Sequence, residues 1–179
     1  MNSKKIHEIQ AWVATQVSPY RLKHIQGVAQ TSEKLAKRYG LPVEKARLAA
    51  WLHDCAKELP KQEMKRWMGK AGFKLDALEA KMPGLWHPHA GAAIALKKWG
   101  IKDKAVLDAI RCHTLGGPNM GPLSQVVFVA DFIEPSRHFA GVEKARALAR
   151  KGLKEGVLAK ASMTIQFLFD KKMKVHPRL

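Results

Sequence analysis

Cysteine is nearly missing from this chain. Two of its 179 residues are cysteine, Cys55 and Cys112, and they form neither a CxxC pair nor a disulfide framework. A disulfide-stapled scaffold and an all-thiolate zinc site are excluded, and a reducing, cytoplasmic setting is the expectation. Acids are also short: 15 Asp and Glu stand against 32 Lys and Arg, a formal net charge of +17. No apolar run approaches the ~18 residues that span a bilayer. The longest, Val126 to Ile133, is broken by Asp131. The basic start MNSKKIHEIQ leads into no apolar stretch, so no signal peptide is expected. Repeats and low-complexity segments are absent. The one serious strand signal is the β-branched run around Val126-Val127-Phe128-Val129, and its place between helical segments favours a buried helix.

What is present points to an all-α protein. Apolar residues make up 46% of the chain, and 179 residues suffice to bury a core in one domain. The expected domain is 1–179, with a core over about 18–150 and helices over about 142–173 packing on it. Ile6, Ile9, Val13 and Val17 have helical spacing. Ser18 followed by Pro19 reads as an N-cap with proline at the first helical position. That second helix closes at Gly40. A third runs from Pro42 to about Glu58, and Pro60 stops it. Further helices are expected over about 61–70, 88–99, 103–114, 123–134, 142–152 and 155–173. Loops fall at 73–87 and at the Gly-rich stretch 116–122.

The excess of positive charge attracts polyanions. Nucleic acid, phosphorylated metabolites and anionic membranes all qualify, and charge alone does not choose among them. A lysine-rich surface that only keeps the protein soluble is the plain alternative.

Metal-ligand residue types recur on this helical map. His24 lies in the second helix, His53 and Asp54 near the end of the third, His87 just before the helix at Pro88, His113 at the end of the 103–114 helix, and Asp131 inside an apolar helix. Helical bundles build metal sites from residues projecting inward on facing helices. Asp131 is the most informative position, because a carboxylate buried among Val, Phe, Ala and Ile needs a metal or a buried cation as partner; the alternative is a helix face turned to solvent. A His-Asp dipeptide alone is weak evidence, and each histidine singly reads as an ordinary core or surface residue. The set carries the argument.

In that order, His, His-Asp, His, His, Asp, the set resembles the HD superfamily of phosphohydrolases in its two-metal form. The strings RLKHIQGV, WLHDCAKELP, LWHPHAGA, AIRCHTLGGPNMG and ADFIEPSR resemble its YqeK-type members, which split diadenosine tetraphosphate symmetrically into two ADP. The resemblance implies an HD-domain helical bundle. It implies that His24, His53, Asp54 and Asp131 hold a first metal, that His87 and His113 complete a second site, and that Asp54 bridges the two. It favours iron, while manganese, cobalt and zinc also suit imidazole and carboxylate ligands. Two such ions hold a hydroxide that attacks phosphorus, with Asp54 and Lys57 as the residues at the reacting centre.

Lys57 follows His53 by four residues and Asp54 by three, so it is expected on nearly the same helix face and is the first phosphate partner to expect. Its alternative is a solvated lysine near a helix end. Arg137 resembles the family's EPxR arginine and suits a bidentate phosphate clamp. Arg21, Lys23, Arg111 and Thr114 are weaker substrate-binding candidates. His89 departs from the family pattern: it replaces His87 as ligand, contacts substrate, or sits idle, and His87 is the preferred ligand. Cys55 and Cys112 read as packing, as do the five tryptophans, with Trp86 the one beside a proposed ligand. His7, His138 and His176 read as surface residues. The expected partner is a small nucleotide, without a membrane. Two rival readings remain: an HD phosphohydrolase acting on another nucleotide, and a basic helical nucleic-acid-binding protein with a vestigial metal site. Self-association is left open.

Overall fold

The computed structural model describes residues 3–179. Among them run nine α-helices and no strand. They are α1 (Ser3–Gln16), α2 (Pro19–Arg38), α3 (Val43–His53), α4 (Lys61–Ala71), α5 (His87–Lys97), α6 (Lys104–Cys112), α7 (Pro122–Ile133), α8 (Val142–Lys151) and α9 (Leu153–Asp170). The β-branched run is helical, as expected, and forms the middle of α7.

Local chemistry sets most of the boundaries. The Ser18 hydroxyl accepts from the Arg21 N–H at 3.3 Å, a cap of about 1 kcal/mol. Ser18 also donates from its N–H and its hydroxyl to the Glu58 carboxylate, at 2.6 and 2.9 Å. That pins the start of α2 to the segment after α3. Asp103 caps α6 by accepting from the Val106 N–H. Gly72 ends α4 with a φ of 69°, a conformation glycine adopts without a Cβ penalty.

The third helix is shorter than its sequence suggests. It ends at His53 instead of about Glu58, and 54–58 form turns. There the backbone closes i to i−3 bonds, Cys55 to Leu52 and Lys57 to Asp54. These tighter turns replace the α-helical ladder, so Lys57 reaches the site from a turn and not from a helix face.

α3 is the central helix, packed against α2, α5, α6 and α7. Ile25, Val28, Leu52, Ile94, Ile110 and Phe128 are fully buried between these helices. α5 crosses α3 closely at Gly91, where a Cβ would stand 3.0 Å from the Leu52 carbonyl oxygen. α9 packs on α7 and α8. The last turns of α3, α6 and α7, the first turn of α5 and the first half of α2 meet at one end of the bundle.

Candidate metal centre

Five buried residues face one another at that end: His24, His53, Asp54, His87 and His113. Asp131 joins them with its side chain 15% exposed. Thus all six residues expected as ligands come together.

The hydrogen bonds fix how the imidazoles present themselves. His53 Nδ1 donates to the Ala50 carbonyl at 2.5 Å, His113 Nδ1 to that of Ile110 at 2.8 Å and His87 Nδ1 to that of Gly84 at 2.8 Å. His24 Nδ1 donates to Glu134 Oε1 at 3.1 Å. A carbonyl or carboxylate acceptor at Nδ1 assigns the proton there and leaves Nε2 with a bare lone pair. The Nε2 atoms then face each other: His53 and His24 at 3.4 Å, His87 and His113 at 3.2 Å. Two lone pairs cannot bond to each other, and a cation between them resolves the repulsion.

The carboxylates complete two overlapping groups. Asp54 Oδ1 lies 3.3 Å from the Nε2 of both His87 and His113. It is buried without hydrogen-bond geometry to any partner among the described residues, an arrangement that leaves a lone pair for a metal. Asp131 Oδ1 lies 3.1 Å from His24 Nε2. His24, His53 and Asp131 form one metal-capable group, and His53, Asp54 and His113 another, with ligand atoms within 4.8 Å of one another in each. Nitrogen and carboxylate donors without thiolate match the donor set of a catalytic rather than a structural zinc-type site.

Electrostatics favour the ligand forms. Burial lowers the His53 pKa to about 3, against the pull of Asp54. It also holds His87 well below the usual histidine value. Burial alone would raise the Asp54 carboxyl, but His53 and its neighbouring imidazoles hold it well below the usual range. Asp131 is likewise held low: burial opposes ionisation, and the Lys160 ammonium overcomes it.

Lys160 is the largest surprise. α9 carries it, buried, into the site. Its ammonium donates to Asp131 Oδ2 at 2.7 Å and to the His113 and Phe128 carbonyls at 2.8 and 2.9 Å. Asp131 therefore has both partners that its sequence left open, a metal-capable cluster and a buried cation. Glu134 also escaped sequence reasoning. It holds His24 by Nδ1 and is itself held by the Ser136 N–H and hydroxyl. α2 must pass close to it: a Cβ on Gly27 would come within 2.5 Å of Glu134 Oε2. The Glu-Pro pair after an apolar run was the one available signal.

Of the expected phosphate partners, four are at the cluster. Lys57 Nζ lies 3.3 Å from both ring nitrogens of His87, and burial draws its pKa below the usual lysine value. Arg21 donates to Asp54 Oδ2 at 2.8 Å. Arg137 donates to the Asp131 carbonyl and to Oδ1, both at 2.9 Å. The Thr114 hydroxyl lies 3.0 Å from His113 Nε2 and 3.2 Å from His87 Nε2. Arg21 and Arg137 are 21% and 36% exposed, so both are open to an arriving anion, whereas Lys160 at 5% is not. Two candidates lie elsewhere. Lys23 is exposed on α2, and the Arg111 guanidinium stacks over Phe73.

His89 points away from the cluster. Its Nε2 donates to Glu79 Oε1 at 2.7 Å, so the ligand preference for His87 agrees with the geometry. His7 and His138 are exposed as expected, but His176 is not: it is buried and bonded to Asp76 at 3.1 Å. Its neighbours in sequence, Val175 and Pro177, give it no partner, and only the fold brings Asp76 to it. Burial raises both cysteine thiols above their ordinary value, in keeping with packing.

The HD-domain family profile matches residues 21–136. The chain belongs to the HD-domain family. HD domains are metal-dependent, which agrees with the paired clusters. This HD domain is 39% identical over 170 residues to the symmetrical bis(5'-nucleosyl)-tetraphosphatase of Bacillus subtilis, covering 95% of this chain and 91% of the relative. It is 40% identical over 167 residues to the enzyme of that name from Halalkalibacterium halodurans, covering 92% and 88%. In structure it is similar to a predicted HD superfamily hydrolase from Clostridium acetobutylicum described as involved in NAD metabolism. The TM-score is 0.91, with 36% identity over 97% of this chain and 92% of that one. No helix among the described residues of this HD domain is long and apolar enough to cross a membrane.

Proposed function

We propose that this HD domain hydrolyses dinucleoside tetraphosphates symmetrically, taking diadenosine tetraphosphate and water to two ADP. The observation that carries the reading is the set of Nε2 lone pairs facing each other around the unpartnered Asp54 Oδ1. The curated relatives' name supplies the substrate and the position of the cut.

In this reading His24, His53, Asp54 and Asp131 hold one metal ion, and His87, His113 and Asp54 a second. Iron is the proposed metal, with manganese, cobalt and zinc compatible with the same donors. Bound there, the ions supply Lewis acidity toward phosphoryl oxygens and a water acidic enough to react near neutral pH. The protein's own groups do the rest. Backbone carbonyls and Glu134 hold the four imidazoles in the tautomer that offers Nε2. Lys57, Arg137 and Arg21 donate hydrogen bonds to the polyphosphate, which replaces part of their contact with His87, Asp131 and Asp54. The Thr114 hydroxyl donates to an oxygen beside His87 and His113. Lys23 and Arg111, away from the cluster, are reached only by the outer part of a long substrate.

The bond broken is the central P–O–P bridge. Water adds its oxygen to one inner phosphorus, the bridging oxygen leaves with the other half, and each half is a nucleoside diphosphate. The reaction requires a small nucleotide and no membrane. A small intracellular nucleotide as substrate supports a cytoplasmic location.

The test is incubation of the metal-stripped protein with diadenosine tetraphosphate and iron(II) under reducing conditions, followed by nucleotide chromatography. ADP as sole product supports the reading. ATP with AMP refutes the symmetrical cut, and absence of turnover with iron, manganese, cobalt and zinc refutes the activity.

A further inference from the structure

A second buried polar cluster lies outside the metal centre. The stretch after α9 folds back so that His176 and Arg178 meet residues about a hundred positions earlier. Arg178 pairs with Glu79 Oε1 and, at 3.7 Å, with Asp76. His176 Nε2 bonds Asp76 Oδ2 at 3.1 Å. Leu179 packs on the core, and the Arg178 N–H donates to His176 Nδ1, which keeps the stretch in a tight turn.

Glu79 is the hub of this cluster. It is 2% exposed. One carboxylate oxygen receives both Arg178 and His89, and the other accepts the Asp76 N–H at 3.0 Å. Its backbone carbonyl accepts the Trp86 indole N–H at 2.8 Å. Asp76 in turn accepts the N–H groups of Leu78 and Glu79, at 2.9 and 2.8 Å. The bonds of Asp76 and Glu79 grip the segment 76–89, which holds two short 3₁₀ turns and runs into the first turn of α5. That segment contains His87, whose Nδ1 is aimed by the Gly84 carbonyl inside it. His89 Nδ1 has no partner among the described residues, so Glu79 alone orients that ring.

We infer that Arg178 is a positioning residue for one half of the metal centre: through Glu79 it clasps the 76–89 segment and so fixes His87. The other half, His24, His53 and Asp131, is carried by α2, α3 and α7, which the clasp does not touch. Loss of the clasp therefore weakens one ion and spares the other. His87 is the first residue of α5, so its aim depends on the turns just before that helix, and outer partners of a ligand are worth about 10–100-fold in metal affinity. This assignment rests on the two-ion reading above.

The experiment is calorimetric titration of the metal-stripped, full-length protein with Mn²⁺ alone, for the wild type, Arg178→Ala, Arg178→Lys and Glu79→Gln. Amide hydrogen exchange is followed over residues 76–89. The wild type takes up two equivalents. In Arg178→Ala one equivalent weakens by about tenfold or more while the other stays within about twofold, exchange in 76–89 accelerates, and Arg178→Lys restores part of the affinity. Glu79→Gln reproduces the pattern independently. Two wild-type equivalents that are both unchanged in Arg178→Ala and Glu79→Gln overturn the clasp alone. Equal weakening of both equivalents, in step with a fall in melting temperature, also overturns it, because it marks a merely structural role. A single wild-type equivalent refutes the two-ion reading beneath it.

Discussion

Lys160→Met removes the buried ammonium and keeps most of the side-chain volume. In the native structure that ammonium meets Asp131 Oδ2 and two backbone carbonyls at 2.7–2.9 Å. The variant strands Asp131 Oδ2 and removes a donor from both carbonyls. Breaking a buried ion pair by deleting one partner costs about 3–5 kcal/mol. Asp131 keeps Arg137 on its other oxygen, which argues for the low end, about 3 kcal/mol. A chain of this size loses roughly 2–4 °C of melting temperature per kcal/mol, so the fall is roughly 6–12 °C. The assay is urea unfolding of the metal-stripped protein by circular dichroism. Addition of Asp131→Leu to Lys160→Met then removes the stranded carboxylate, and the double variant recovers most of the loss, since matched apolar replacement of a buried pair is often neutral. Mn²⁺ at about 100 times its Kd adds about 2.7 kcal/mol to the single variant. A loss below about 1 kcal/mol, or a double variant as unstable as the single, refutes the argument that Lys160 compensates Asp131.

Three further outcomes follow from the same geometry. Lys57→Ala lowers kcat/KM for diadenosine tetraphosphate by roughly tenfold to a hundredfold, the worth of a charge-assisted hydrogen bond of about 1.5–3 kcal/mol, with unchanged metal content; an unaltered kcat/KM removes Lys57 from the phosphate site. The His53 pKa near 3 in the fold lies below its ordinary value of about 6.5. The unfolded chain therefore binds more protons between these values, and the metal-free protein is fully stable above about 6.5 and loses stability as pH falls toward about 3. The slope approaches about 1.4 kcal/mol per pH unit, and a flat urea-midpoint profile from pH 6.5 to 4 contradicts it. Gly27→Ala puts a Cβ where Glu134 Oε2 stands, releases His24 Nδ1 and weakens metal binding by about 10–100-fold with helix content intact; an unchanged titration shows that Glu134 does not aim His24.

The sequence by itself determined the helices and which histidines and aspartates to expect together. Ser18-Pro19, Gly72 and Asp103 act on backbone groups within one turn, so their effect is readable from neighbours alone. Asp131 in an apolar run announced a buried charge, and the order of histidines and aspartates matched a family. Tertiary structure decided what local pattern does not encode. Lys160 looks like any lysine on a helix until α9 is laid on α7 and its ammonium meets Asp131, 29 positions earlier. Glu134 becomes the holder of His24 only across 110 positions. His176, read as a surface residue, and Arg178 beside it are drawn in by Asp76 and Glu79. The end of α3 at His53, five residues early by sequence reasoning, is set by the turns that put Asp54 between His87 and His113. A polar side chain's role depends on its partner, and a partner distant in sequence is chosen by packing. That is why the clustered histidines and aspartates were legible in the chain and the residues that hold them were not.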